Sequence, residues 1–199
     1  MSSIDPDKGQ LPFNQQDELN QGSQNKWLAE VWDWIKSISV ALVIVVLINQ
    51  FLFSQSIVEG QSMEPTLENG ERLFINRLLY QFKEPHYGDI IVFKDPQPIH
   101  GKRDYLVKRV VAEAGDEVVI REGKLYVNGE FIEETYVDTE IEDGNFGPYI
   151  VEEGHVFVMG DNRKRRASRD SRSFGAIQYD LVIGRADWII WPPVKIKSI

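Results

Sequence analysis

The stretch EVVIREGKLYVNGEFIEE, Glu117–Glu134, reads as short strands joined at Glu122-Gly123 and again at Asn128-Gly129. Asn-Gly between apolar runs is a strong hairpin signal, because both positions of the favoured two-residue turn need positive φ. The same pattern recurs outward in both directions. GDIIVF (Gly88–Phe93) follows the turn-like EPHYGD, and YLVKRVV (Tyr105–Val111) closes at Ala114-Gly115-Asp116. HVFVMGDN (His155–Asn162) and LVIGRADWII (Leu181–Ile190) complete the set, while ERLFINRLLYQF (Glu71–Phe82) reads as a strand that can run into a short helix. Strands at short spacing, with almost no amphipathic helix between them, predict a mainly β domain built as a barrel or as packed sheets. It covers residues 54–199, with a β-hairpin insert at roughly 117–155.

Upstream the pattern changes. ISVALVIVVLINQFLF (Ile38–Phe53) is almost purely apolar, and from Ile35 onward Lys36 is its one charge. A helix that crosses the hydrocarbon needs about 20 such residues. Trp27, Trp32 and Trp34 precede it, as interfacial anchors do. A cleaved signal peptide fits worse, because no small-x-small site follows the run. Residues 26–53 therefore read as one interfacial and transmembrane helix, and residues 1–25, rich in Gln, Asn, Ser and Asp, as a disordered tail. Lys26 and Lys36 lie before the span and the first basic residue after it is Arg72. That bias places the N-terminus in the cytoplasm and the β domain on the far side of a membrane.

The 199 residues carry a formal charge of −9, which leaves no basic surface for nucleic acid. With no cysteine there is no disulfide, thiolate metal site or cysteine nucleophile. The three histidines, His86, His100 and His155, show no metal-ligand spacing, and no cofactor motif is present.

Three places can carry chemistry. Ser62, in GQSMEPTL (Gly60–Leu67), is either a turn residue or a nucleophile awaiting a base. Lys108 sits in an apolar strand beside Arg109, and strand alternation sends the two cations to opposite faces. Both are solvated if the strand is an edge. Otherwise at least one is buried, and a buried lysine has a lowered pKa and becomes a usable base. GDNRKRRASRDSRSFG (Gly160–Gly175) reads either as a solvated basic loop, able to meet lipid headgroups through residues 163–166, or as support for a catalytic centre.

In order, SMEPTL, GDIIVF, KRVVAEAGD and GDN…SRDSRSFG resemble the boxes of the type I signal peptidases. These are membrane serine proteases that remove signal peptides from exported preproteins, and the resemblance runs from about Ser54 to Trp191. It implies a nucleophile at Ser62, a general base at Lys108, and a serine at Ser168 that orients the lysine. Asp170 and Arg172 match the family's ion pair, and Gly160, Asp161 and Asn162 form the turn feeding that loop. Met63, Pro65 and Thr66 belong to the Ser62 box. The substrates so implied are preproteins cut after small-x-small sites, with membrane lipids as a further partner and no metal. The sequence departs from the pattern at three points. Gly60 stands where some members carry an oxyanion-donating serine. Five residues, not three, separate Asn162 from Ser168. AEAGD replaces the usual GLPGD.

Overall fold

A computed structural model of the chain describes residues 27, 30–46, 53–98 and 105–199. Two units separate near residue 48, and each is treated by itself. The first contains helix α1, residues 30–46, whose Ile38, Val40, Leu42 and Val43–Val46 side chains are all exposed. Among the described residues no helix is long and apolar enough to cross a membrane. The expected tail lies outside the described residues, as does the last stretch of the expected span, residues 47–52. Phe53, the last residue of the expected helix, is the first residue of a strand.

The second unit is β, as the turn residues dictate. Glu122-Gly123 and Asn128-Gly129 all take positive φ, between 52° and 81°, and close the β5–β6 (Glu117–Arg121, Lys124–Val127) and β6–β7 (Glu130–Phe131) hairpins. With β8 (Phe146–Ile150) they form a four-stranded sheet in the order β7-β6-β5-β8. The larger sheet contains β1 (Phe53–Ile57), β2 (Arg72–Asn76), β3 (Ile90–Lys94), β4 (Tyr105–Ala112) and β9 (His155–Met159). It also takes in β10 (Ile177–Gln178), β11 (Val182–Trp191) and β12 (Lys197–Ser198). Its order is β1-β2-β11-β3-β4-β9-β10, with β12 on β11, and every pairing is antiparallel.

Among the described residues no closed barrel forms; packed sheets do. The large sheet stays open because β4 meets β9 only from Arg109 onward, so Tyr105–Lys108 pair with β3 alone. That unpaired half-edge and the outer edge of β1 both border a groove rather than each other. Three apolar clusters hold the unit together. One, with Met63, Leu67, Ile75, Val92 and Ile189, fills the inside of the large sheet near β1–β3. A second, with Ile91, Phe93, Val110 and Val158, packs on the opposite face of β3 and β4. The third joins the two sheets through Val111, Val118, Leu125, Phe157 and Met159. Burying such side chains, at about 25 cal/mol per Å² of apolar surface, fixes the register that positions β4.

Candidate active site

β4 becomes a central strand at Arg109, and both cations at that junction are buried: Lys108 is 2% and Arg109 8% exposed. An edge strand with two solvated charges is thereby excluded. Alternation gives Lys108 the face of Leu106 and Val110, both in the Ile91–Phe93 cluster. From there its Nζ donates to Ser62 Oγ at 2.7 Å and to the carbonyl of Val107 at 2.7 Å. Burial pushes the Lys108 amine down from 10.5 to about 8, with Asp170 and Asp161 opposing the shift by their charge. At pH 7 the free amine is then about a tenth of the total, against well under a thousandth for an ordinary lysine.

Ser62 sits on a turn between β1 and β2, and the backbone of that turn is pinned from outside. The Gly60 N–H donates to Asn69 Oδ1 at 2.8 Å, so it is already engaged. Gly60 has φ of +98°, a region that a serine adopts only with strain, although its side chain would meet open space. The Asn162 N–H donates to the Ser62 carbonyl at 3.1 Å and its Nδ2 to the Gln61 carbonyl at 2.9 Å. Met63 is buried beneath the turn. A Cβ on Gly160 would collide with the Ser62 carbonyl and with Ser168 Oγ, so the approach of this turn requires glycine.

Asp161 faces the other cation. Arg109 Nε and Nη2 donate to its two oxygens at 2.9 and 2.7 Å, Thr66 Oγ1 donates at 2.5 Å, and Arg109 Nη1 reaches the Gly88 carbonyl. Burial would lower the Arg109 guanidinium pKa, but the Asp161 carboxylate outweighs it and the net shift is upward. Asp161 thus ties the Ser62 turn, through Thr66, to the strand that carries Lys108.

Asp170 and Arg172 form a bidentate pair at 2.8 and 2.9 Å, and Asp170 also accepts from the Gly160 N–H at 3.2 Å. Burial alone would raise Asp170. The Arg172 guanidinium, with Ser168 and the Gly160 amide, instead holds its carboxyl below the usual range. Asp170 caps helix α2 (Ser171–Phe174), which places both residues of the pair. The Ser168 hydroxyl, buried against Gly160, lies close enough to Asp170 to favour its charged form, without a well-formed hydrogen bond to any described residue. No hydrogen bond joins Ser168 to Lys108, whose amine donates instead to Ser62 Oγ and the Val107 carbonyl.

The basic insertion also differs from its reading as a solvated patch. Lys164, Arg165 and Arg166 are exposed, but Arg163 is fully buried, with its guanidinium on Glu134 at 2.8 and 2.5 Å. Arg109, Glu134 and Arg163 were not singled out from the sequence as site residues. For Arg109 the signal was present, since two neighbouring cations in an apolar strand each need a partner if buried. Glu134 lies 29 residues from Arg163, and no local pattern links them.

Beside Ser62 runs a groove of about 530 Å³. Its walls are Gln55–Gly60 on one side and Tyr105–Lys108 on the other, with Met63 and Val92 at the base. Among the described residues no cluster of His, Asp or Glu could hold a metal.

The family model described as "Signal peptidase, peptidase S26" matches residues 31–191. A signal peptidase I of Bacillus licheniformis is 37% identical over 84% of this chain and 92% of its own. Signal peptidase I T of Bacillus subtilis is 36% identical over 80% of this chain and 85% of its own. Thylakoidal processing peptidase 1 of Arabidopsis thaliana is 34% identical over 98% of this chain and 60% of its own. The chain belongs to the signal peptidase family, peptidase S26, and is a peptidase that removes signal peptides from preproteins.

Proposed function

We propose that Ser62 is the nucleophile and Lys108 the general base of this cleavage, in a catalytic domain held at a membrane surface. The observation that carries the reading is the 2.7 Å contact between Lys108 Nζ and Ser62 Oγ inside a buried setting. When the amine is neutral, one N–H stays on the Val107 carbonyl and the lone pair faces the serine hydroxyl. The Ser62 proton then passes to Nζ as Oγ attacks the scissile carbonyl carbon. The oxyanion forms against the Ser62 backbone N–H, while the Gly60 amide remains on Asn69. Collapse breaks the C–N bond, and Nζ returns the proton to the leaving amine, the new N-terminus of the mature protein. Water next gives a proton to Nζ and adds to the acyl ester. Collapse of that second intermediate frees the signal peptide and restores the Ser62 hydroxyl.

The groove suits an extended chain, since β1 offers a free edge and Val58, Met63, Val92, Leu106 and Val107 give apolar walls. These favour small side chains before the cut, in the small-x-small manner. Asp170, Arg172, Asp161 and Asn162 keep the two reacting atoms together, and Ser168 packs the wall behind them.

The membrane setting has two supports. The run from Ile35 is apolar, and every described side chain of α1 from Trp32 on is exposed, which suits lipid. In the catalytic unit, Ile57, Arg72 and Trp191 share one row across β1, β2 and β11, and Trp188 lies two rows on, opposite Phe74. Ile57, Trp188, Trp191, Ile196 and Val194, the last 91% exposed, leave an apolar and aromatic face beside the groove, as interfacial surfaces do. The N-terminus lies in the cytoplasm and the catalytic unit on the far side. Incubating the full chain with a preprotein whose signal ends in Ala-x-Ala, then sequencing the product, tests the function. The expected new N-terminus follows the second alanine and is absent with Ser62→Ala. Cleavage elsewhere, or by the Ser62→Ala protein, overturns it.

A further inference from the structure

The second sheet contributes to the site through a buried polar circuit. Arg163 Nε donates to the Gly160 carbonyl at 2.8 Å, and its two terminal nitrogens go to Glu134. The Arg163 and Glu134 side chains are 1% and 7% exposed. Glu134 also accepts from the Tyr136 hydroxyl at 2.5 Å. The Tyr136 ring covers the Arg109 guanidinium at 4.0 Å. The Arg163 carbonyl accepts from the Glu142 N–H at 3.1 Å. Glu134, Tyr136 and Glu142 all belong to the connection between β7 and β8.

This connection reaches the surroundings of both reacting residues through Arg109 and Arg163. Arg109 follows Lys108 on β4. Arg163 follows Asn162, whose backbone and side chain hold Ser62 and Gln61. Gly160, braced by Arg163, is the residue in tight contact with the Ser62 carbonyl. Glu134 lies between the two cations, bonded to one and joined to the other through Tyr136. A displacement of the 160–163 turn moves Ser62 relative to Lys108, and proton transfer between them depends steeply on that distance.

We propose that Glu134 and Tyr136 are positioning residues of the peptidase reaction, setting the approach of Ser62 Oγ to Lys108 Nζ through the 160–163 turn. This rests on the Ser62/Lys108 reading above. Neither residue lines the substrate groove, so their loss acts on turnover and not on binding.

The test is steady-state cleavage of a peptide substrate by the full chain, with thermal unfolding of each variant. Glu134→Gln keeps the shape and removes the charge that Arg163 needs. It is expected to lower kcat by about 10- to 100-fold, with KM within about two-fold, at a temperature where the variant is fully folded. Tyr136→Phe keeps the ring over Arg109 and loses one hydrogen bond, so its fall in kcat is in the same direction and smaller. Because Glu134→Gln strands a buried cation and can unfold the protein, Glu134→Gln/Arg163→Met supplies the second arm. Removing both charges restores folding but not the brace on the Gly160 carbonyl. Its kcat is expected to remain low although its Tm recovers. Wild-type kcat in the folded double variant, or in folded Glu134→Gln, overturns the proposal. Ser62→Ala and Lys108→Met run in parallel: activity in those variants sinks the dyad itself, whatever Glu134 does.

Discussion

The two faces of β4 hold two cations one residue apart, both nearly inaccessible to solvent, and the protein treats them in opposite ways. Arg109 meets the Asp161 carboxylate bidentately, a backbone carbonyl and an aromatic ring. Its charge is fully compensated and its pKa moves up. Lys108 meets a hydroxyl and a backbone carbonyl, and among the described residues no carboxylate is hydrogen-bonded to it. Its pKa falls to about 8. Burial is common to both, so it does not by itself distinguish an anchor from a base. A carboxylate within hydrogen-bond reach does. The same contrast holds in the 160–175 loop, where Arg163 and Arg172 are each paired and serve as braces.

Removing the amine breaks the contrast most severely. Lys108→Met keeps the stem and abolishes the base, and peptide cleavage is expected to fall at least about 1,000-fold. Lys108→Arg is expected to be as inactive, because a guanidinium does not deprotonate in the working range. Substantial turnover in either variant, measured on purified protein, would assign the base elsewhere.

On the opposite face the expected loss is stability. Arg109→Ala leaves the Asp161 carboxylate buried and uncompensated, a change that destabilises by about 3–5 kcal/mol. Urea unfolding measures it. A change below about 1 kcal/mol would mean that Arg109 is no anchor.

The third effect has the opposite sign. At about 1.4 kcal/mol per pH unit, the fall of Lys108 from 10.5 to about 8 is a penalty of roughly 3 kcal/mol on the folded state. Below about pH 8 both folded and unfolded chains hold the proton and the penalty is fully present. It fades as pH rises through 8 toward 10.5, where only the unfolded chain still binds the proton. Lys108→Met is therefore expected to be as stable as the wild type, or more so, near pH 7, and to lose that advantage above pH 10.5. A variant less stable at pH 7 and equally so at pH 11 would contradict the sign.

The smallest effect concerns the membrane. Trp188→Ala/Trp191→Ala should weaken binding of the full chain to vesicles and leave cleavage of a short soluble peptide within about two-fold. Co-sedimentation reads the first and a peptide assay the second. Unchanged sedimentation would detach this face from the lipid.

Much of the fold was legible because turn chemistry is local. Asn128-Gly129 and Glu122-Gly123 announced their hairpins, and GDIIVF, YLVKRVV and HVFVM announced β3, β4 and β9. β8 was not read because Gly147-Pro148 interrupts its apolar run, and β10 and β12 are two residues each. The contact between Ser62 and Lys108, the proposed reacting pair, was legible for a different reason. Alternation in YLVKRVV forced a choice about burial, and the ordered boxes resembled a known family. The pairs Arg109–Asp161 and Arg163–Glu134 were not legible, since their partners are 52 and 29 residues apart and only the folded sheets bring them together. The hydrogen bond from Lys108 to the Val107 carbonyl had no signal in the sequence, because any strand residue offers the same backbone acceptor.

The pH dependence of kcat/KM for a short peptide tests the neutral lysine most directly, because its ascending limb reports the free enzyme's base. The account predicts a single ascending limb with its midpoint near 8, set by burial of Lys108. A midpoint near about 6.5, the ordinary range of a histidine, would contradict it, and so would one near the unperturbed lysine value of about 10.4.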